Sequence, residues 1–454
     1  MVLRINVLVI SASVLVFQIL LTRLFSLVFS YHYTFLGVSV ALCGLGLGGA
    51  LVALPKANRW GTEARFSGLF GLGICVTLAA ILSFPDVPSA LFPAGVAGLA
   101  FVAAGAYLAL VFQRGGDGIA GLYAASLGGS ALGCVVVFPL LRLLGAPAAV
   151  AVTALAVAAT TMGAAKLSQR LDHCVALIVV SIALIAIPMP WILPEARVGA
   201  NSGKEFAEAR LNYTPTIEAS RWSGFARTDL VSVAEIDDEK ILYTDGAAPA
   251  PMLSWSGDAD EMPSFDDFVG AIPFRMMSLR RVLVLGSGGG RDVLVALAHG
   301  VEEVTAVEVN PDMVSLVHEQ ADYAGDIYRR PGVELEVREA RSYLGSSDRR
   351  WDLIFISLPR SQRSANLAGY QLVENYLMSS EAVDEYFRHL GEDGMLSIVA
   401  YGEADMLKLF GMTMRRLVGA QGMSEAEAMR RIAIFRQPNE LGVMRYLFVA
   451  RPRA

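Results

Sequence analysis

The chain is expected to fold as a multi-span α-helical membrane domain, then a small β-strand unit, then an α/β domain with a mainly parallel sheet. Three observations predict this. Residues 1–200 hold ten Lys/Arg and five Asp/Glu, whereas residues 201–454 hold 27 and 38. The nearly uncharged part is a series of apolar stretches of spanning length. The charged part alternates short apolar runs with segments of helical periodicity, the pattern of a parallel sheet. The expected boundaries are 1–193, 194–274 and 275–454.

Seven apolar segments are legible in the first part, near 5–30, 34–54, 67–84, 91–112, 118–140, 147–165 and 173–193. The first is too long for a signal-peptide core and lacks a small-residue cleavage site. Gln18 and Arg23 lie inside it, and an intramembrane Arg either serves function or snorkels to a helix contact. Gly44, Gly46, Gly48 and Gly49 in the second segment, and Gly128, Gly129 and Gly133 in the fifth, suit close helix contacts in lipid. Before residue 194, Arg4, Lys56, Arg59, Arg65, Arg114, Lys166 and Arg170 fall on the N-terminal side, with Arg142 alone opposite. That bias places the N-terminus in the cytoplasm of a multi-pass cell (inner) membrane protein. Seven spans would then put the charged half outside. A nucleotide site in that half favours the cytoplasm, so sidedness stays open.

Residues 194–224 read as a polar connector. Residues 225–235 and 240–243 read as strands, with turns at Asp237-Asp238 and Thr244-Asp245-Gly246, and residues 264–272 as a helix. The chain then enters RVLVLGSGGGRDVLVALAHGVEEVTAVEVN, residues 281–310. Val282 to Leu285 form a buried strand that ends in Gly286. Gly286, Ser287, Gly288, Gly289 and Gly290 make a loop almost without side chains. Residues 291–299 form a helix ending at Gly300. Residues 304–309 form the next strand, and Glu308 lies at its end, 22 residues after Gly286. Strand, glycine loop, helix, strand and acid make a nucleotide cradle. Glycines let a ligand touch backbone, a helix N-terminus offers free N–H groups, and the carboxylate accepts from ribose hydroxyls. The third glycine of a dinucleotide fingerprint would fall at Arg291, which favours adenosyl-sulfonium ligands over dinucleotides.

Asn310-Pro311 opens a helix to about Ala321. Strands follow at 333–337, with Glu339 just beyond, and at 353–357. A polar loop covers 358–369, and a helix begins at Ser379-Ser380-Glu381 and ends near Leu390. Strand 395–400, a helix near 403–418, and strands 432–436 and 443–450 complete the chain. The last two suggest a terminal antiparallel pair. This is the layout of a class I methyltransferase-like (Rossmann-like) sheet, whose ligand edge is the carboxyl ends of the strands. Gly286, Glu308, Glu339 and Ser357 all fall there. The acidic balance of this half argues against nucleic acid as a partner. The four cysteines lie in apolar segments without metal or disulfide spacing, and no metal is expected.

VLVLGSGGGRDVL, TAVEVNP, REARSYL, WDLIFI and ENYLMSSEAVDEYFRHLGEDGML resemble the spermidine synthase (polyamine aminopropyltransferase) family, in its bacterial form with a membrane-spanning N-terminal half. The resemblance covers about 205–450, and QILLTRLFSL followed by LCGLGLGGAL is similar to the membrane half. It implies S-adenosylmethionine or its decarboxylated form as donor and an amine as acceptor. Glu308 matches the family's ribose-binding glutamate. Glu339 before Ala340 matches its adenine-side acid. Gly289 stands where an Asp usually grips the aminopropyl amine. Phe265-Asp266 replaces a Tyr-Gln pair, and Ser357 and Arg360 replace two catalytic aspartates.

These departures have chemical meaning. A diamine needs carboxylates to bind it and a base to take its proton, while Arg360 favours a carboxylate. Two readings follow. One is a transferase acting on an amine or lipid-proximal acceptor, with Asp266, Arg360 and Tyr370 as catalytic candidates beside Gln371, Glu374 and Asn375. The other is a non-enzymatic, nucleotide-binding membrane carrier or sensor. Homo-oligomerisation is open in either.

Overall fold

The structure, a computed structural model, describes residues 1–54, 62–87, 89–164, 196–357, 376–438 and 444–452. It divides into two compact units. One comprises Met1–Ala207 with Arg221–Arg227, the other Glu208–Ser220 with Thr228–Ala454.

Among the described residues, five helices in the first unit are long and apolar enough to cross a membrane. They are α1 (Val2–Val28), α2 (Tyr33–Ala53), α3 (Glu63–Ser83), α4 (Leu91–Arg114) and α5 (Ile119–Ala164). The expected segments at 118–140 and 147–165 are thus joined in one 46-residue element, interrupted at Gly145 with φ 73° and ψ 166°. Straight, it would run about 70 Å, more than twice a bilayer core, and the break divides it into two lengths each able to cross. The segment at 173–193 lies outside the described residues.

Only some of the small-residue positions meet another helix. A Cβ on Gly48 would lie 2.2 Å from Val102 O, and one on Gly44 2.8 Å from Gly98 O, so α2 and α4 touch backbone to backbone. A Cβ on Gly129 would lie 2.1 Å from Leu8 O and one on Gly133 2.5 Å from Ala12 O, joining α5 to α1. Gly46, Gly49 and Gly128 meet nothing within 4 Å. The buried Lys204 ammonium caps the end of α1, donating to Ser26 O and, at 3.0 Å, to Leu27 O. A cation there also suits the helix dipole. Arg23 is bound structurally: its guanidinium donates to Phe225 O of the Arg221–Arg227 segment.

The second unit holds the parallel sheet and most of a smaller, four-stranded one. Between the units' apolar and parallel-sheet parts come α6 (Glu205–Asn212) and four strands: β1 (Pro215–Trp222), β2 (Arg227–Val233), β3 (Ile236–Thr244) and β4 (Ala247–Leu253), paired in that order. The polar-connector expectation missed α6 and β1, and β4 was also unexpected. β1 and β4 are the edge strands, where polar residues and N–H-less prolines are tolerated. Asp245 and Gly246, both with positive φ, turn β3 into β4 as expected of that turn signal. The helix expected at 264–272 is absent. Asp266 N donates to Ser264 Oγ in a local turn, a 3-10 turn covers Val269–Ala271, and α7 (Ile272–Met276) starts with Pro273 in its first turn. Pro273 belongs at a helix start, so the helix cannot extend back through it.

The parallel sheet then follows the expected strand order, with further short helices at 321–324, 340–345 and 425–430 and a strand that starts at Leu390 rather than at residue 395. Its elements are β5 (Arg281–Leu285), α8 (Arg291–Ala298), β6 (Glu303–Glu308), α9 (Pro311–Glu319), α10 (Ala321–Ala324), β7 (Val333–Val337), α11 (Ala340–Gly345) and β8 (Trp351–Ser357). Next come α12 (Ser380–His389), β9 (Leu390–Ala400), α13 (Glu403–Met414), α14 (Glu425–Arg430), β10 (Ile432–Pro438) and β11 (Met444–Ala450). The strand order is β10-β11-β9-β8-β5-β6-β7. β11 alone runs antiparallel to its neighbours, the closing antiparallel pair that was expected. Alternation along β5 feeds two cores: Val282 and Val284 pack on one face, Leu283 and Leu285 on the other. From β5 the chain steps outward through β6 and β7, and later through β8 and β9 on the other side. The topological switch point is therefore the gap between β5 and β8, at their carboxyl ends.

Candidate nucleotide site at the sheet switch point

The loop after β5 has the conformation its glycines predict. Gly286, Gly288 and Gly290 have φ of 78°, 56° and 93°, a region costly to residues with a Cβ. Gly289 is required for space instead: a Cβ there would lie 2.3 Å from Pro251 O and 2.9 Å from Ala250 O. The strand β4 thus closes one side of the loop and leaves no room for an Asp at 289. Among the described residues, a Cβ on Gly286 would meet nothing within 4 Å, so the loop's open side is at its first residue. Tyr328 pins the loop from beneath. Its buried hydroxyl donates to Gly288 O at 2.6 Å and lies 2.9 Å from Ser287 Oγ, and burial raises its pKa. Sequence reading did not single out Tyr328; it is 40 residues from the loop it holds.

Glu308, at the end of β6, is buried against this loop. One carboxylate oxygen accepts from Gly288 N at 3.0 Å and the other from Asn310 N at 2.8 Å. Burial pushes its carboxyl above the ordinary range, and these backbone donors partly offset that. A carboxylate offers about four acceptor sites. Gly288 N and Asn310 N each take one, and Val309 N lies beside the carboxylate as a weaker third donor, so acceptor capacity remains for a ribose hydroxyl. Asn310 is itself locked, accepting from Asp312 N and Met313 N to cap α9 and donating to Thr228 Oγ1 at 2.8 Å.

Glu339 stands at the next strand end, but its first role is to cap α11. Its two oxygens accept from Arg341 N at 2.9 Å and Ser342 N at 2.7 Å. Partial burial alone would raise its carboxyl; these donors outweigh that and hold it below the ordinary value. Ser357 ends β8 across the switch point from Gly286, and its hydroxyl accepts from Arg291 Nη2 at 3.0 Å. Arg291 follows Gly290 at the first position of α8. Its Nε donates to Asp292 at 3.1 Å, and its guanidinium stacks 4.5 Å over the Phe268 ring. Sequence reading used Arg291 only to exclude a dinucleotide fingerprint. A cation directly after a glycine loop was the available signal for a role.

The structure therefore brings together Gly286, Ser287, Gly288, Gly289, Gly290, Glu308 and Ser357, with Glu339 on the neighbouring strand end. It does not set Asp266 up as a base. That carboxylate is 81% exposed and paired with Arg275 at 2.8 Å. Arg360, Tyr370, Gln371, Glu374 and Asn375 lie outside the described residues. A cavity of 420 Å³, bordered by Arg281, Glu303, Val333, Glu334, Arg349 and Trp351, lies at the amino ends of the strands, opposite this site.

No protein-family model matches the chain, and no curated protein matches it. Solved structures do match. A spermidine synthase in complex with the transition-state analogue AdoDATO is 15% identical, with a TM-score of 0.36, covering 52% of this chain and 72% of that one. Spermidine synthase from Thermotoga maritima is 16% identical, with a TM-score of 0.37 and the same coverage. A probable spermidine synthase from Corynebacterium glutamicum is 15% identical, with a TM-score of 0.38, covering 52% and 80%. Likeness at this level leaves the chemistry to be argued from this chain's own residues.

Proposed function

We propose that the chain is a membrane-bound, spermidine synthase-like transferase that takes its group from S-adenosylmethionine or the decarboxylated form. The acceptor is an amine or a membrane-proximal molecule. One observation carries the reading: Glu308, buried at the end of β6, bridges Gly288 N and Asn310 N while keeping acceptor capacity for a ribose hydroxyl. The residues fit an adenosyl ligand in two further respects. The loop is open at Gly286, and it lies where open α/β sheets bind ligands. A bound sulfonium donor would supply an activated carbon. The chain's own part is to hold the ribose through Glu308, offer the side-chain-free surface of the loop at Gly286, and position the donor's tail between the ends of β5 and β8. Five helices able to cross a membrane support the tether, and a nucleotide site favours a cytoplasmic location for the second unit.

The alternative is a carrier or sensor that binds the nucleotide without turnover. The closed space at Gly289 and the solvated Asp266 favour it. Calorimetry on the full chain in detergent tests the shared premise. Glu308→Ala should weaken adenosyl-ligand binding by about tenfold to a hundredfold, since a charge-assisted hydrogen bond contributes about 1.5–3 kcal/mol. Unchanged affinity would remove the site assignment. Product formed from labelled donor then separates transferase from carrier.

A further inference from the structure

Arg291 is the first residue of α8, where the glycine loop gives way to the helix. From there its guanidinium crosses to Ser357 at the end of β8. The bond therefore spans the switch point between β5 and β8, where a ligand's tail would run if its ribose lay on Glu308. The group is held firmly. Asp292, itself buried, takes the Nε edge; Ser357 takes one Nη2 hydrogen; the Phe268 ring covers a face. Arg291 has five N–H donors, and three have no protein partner among the described residues. Its side chain is only 12% exposed.

A second guanidinium stands close by. Arg445 lies on β11, and its Nε is buried with no partner among the described residues. Burial lowers its pKa first, and the charge of Arg291 lowers it further. The acids near the pair are Asp292, already bonded to Arg291, and Glu239, whose carboxyl burial raises while the two guanidiniums draw it down. Two cations with unused donors at a ligand edge call for an anion with paired oxygens.

Resting on the adenosyl-donor reading above, we propose that Arg291 is a specificity-determining residue that binds the α-carboxylate of the donor, so that the site takes intact S-adenosylmethionine over its decarboxylated form. Arg291 occupies the position at which a dinucleotide loop would need glycine. Gly289, two residues before it, has no space for the acid that would hold an amine tail.

The test is a ligand series on the full chain in detergent, read by calorimetry. The ligands are S-adenosylmethionine, its decarboxylated form, and methylthioadenosine, which shares the adenosine but has neither carboxylate nor amine. The wild type should bind S-adenosylmethionine at least about tenfold more tightly than the decarboxylated form, as expected for gaining one charge-assisted, bidentate contact. Arg291→Met should remove most of that margin while changing methylthioadenosine binding less than about threefold, and Arg291→Lys should restore part of it. Equal or tighter wild-type binding of the decarboxylated donor overturns the proposal, whatever the variants do. So does an equal loss of all three ligands in Arg291→Met, which marks a purely structural residue. Failure of the wild type to bind even methylthioadenosine overturns the adenosyl-site reading itself.

Discussion

Glycine serves different ends in the two units. In the apolar helices, Gly44, Gly48, Gly129 and Gly133 have ordinary helical backbone and are needed only because another helix's backbone lies where a Cβ would be. In the loop after β5, Gly286, Gly288 and Gly290 are needed for positive φ, and Gly289 for space. The same residue type thus reports helix packing in one region and ligand-loop shape in the other. Counting glycines does not distinguish them. Spacing helps: helical repeats of four put glycines on one face, while the loop crowds four glycines into five residues.

The sharpest break of this comparison lies in the helices. Gly48→Ala and Gly129→Ala place a methyl 2.2 and 2.1 Å from backbone oxygens that cannot rotate away. Each should cost about 3 kcal/mol or more in thermal unfolding of the detergent-solubilised chain, the upper range for overpacking. Gly46→Ala and Gly128→Ala meet nothing within 4 Å and should be neutral or stabilising by up to about 1 kcal/mol, since Ala is the better helix former. Equal losses at all four positions would show that these helices do not pack through their glycines as described.

In the loop, the informative change is Gly289→Asp, which restores the acid of the resembled family. Its Cβ would meet Pro251 O at 2.3 Å and Ala250 O at 2.9 Å, setting a carboxylate among carbonyl lone pairs. A stability loss of about 2–3 kcal/mol is expected, without gain of binding to a decarboxylated donor. Gly286→Ala has free space and suffers only from φ of 78°, so about 1–2 kcal/mol is expected. A well-folded Gly289→Asp chain that bound the decarboxylated donor tightly would refute both the geometry and the preference drawn from it.

Much of this site was legible because it is local. The run from Val282 to Glu308 is continuous, and periodicity with glycine placement sets its strand, loop, helix and acid to within a residue or two. What sequence missed is held from afar. Tyr328 reaches back to Gly288, and Pro251 closes Gly289 from another sheet. β1 and β4 were missed because edge strands carry polar residues and prolines that read as loop. Glu339 was read as a ligand acid, and its capping of α11 shows only when Arg341 N and Ser342 N are placed.

Glu308 and Glu339 extend the comparison to charge. Burial raises the Glu308 carboxyl, so the folded chain holds its proton more tightly than the unfolded one. Stability from this group is full below the ordinary carboxylate pKa and is lost as pH rises through the raised value. Ribose hydroxyls donate to the ionised form, so adenosyl-ligand binding should tighten with rising pH in that window and release a proton. Calorimetry in buffers of different ionisation enthalpy reads this release directly. Glu308→Gln should abolish it, and release that persists in the variant would assign the proton to another group.

Glu339 should behave with the opposite sign and a smaller amplitude. Its carboxyl lies below the ordinary value because Arg341 N and Ser342 N outweigh the effect of partial burial. A depressed folded pKa contributes stability that is present above the unfolded pKa and lost as pH falls through the folded one. As a helix cap it should contribute about 1 kcal/mol at neutral pH. Denaturant unfolding of Glu339→Ala should therefore show that deficit at neutral pH, shrinking towards zero in acid as the wild-type carboxylate is protonated. Adenosyl-ligand affinity in the same variant separates the cap from the adenine-side role. A stability loss with unchanged affinity leaves Glu339 a structural residue, whereas a matching loss of affinity places both roles on one carboxylate.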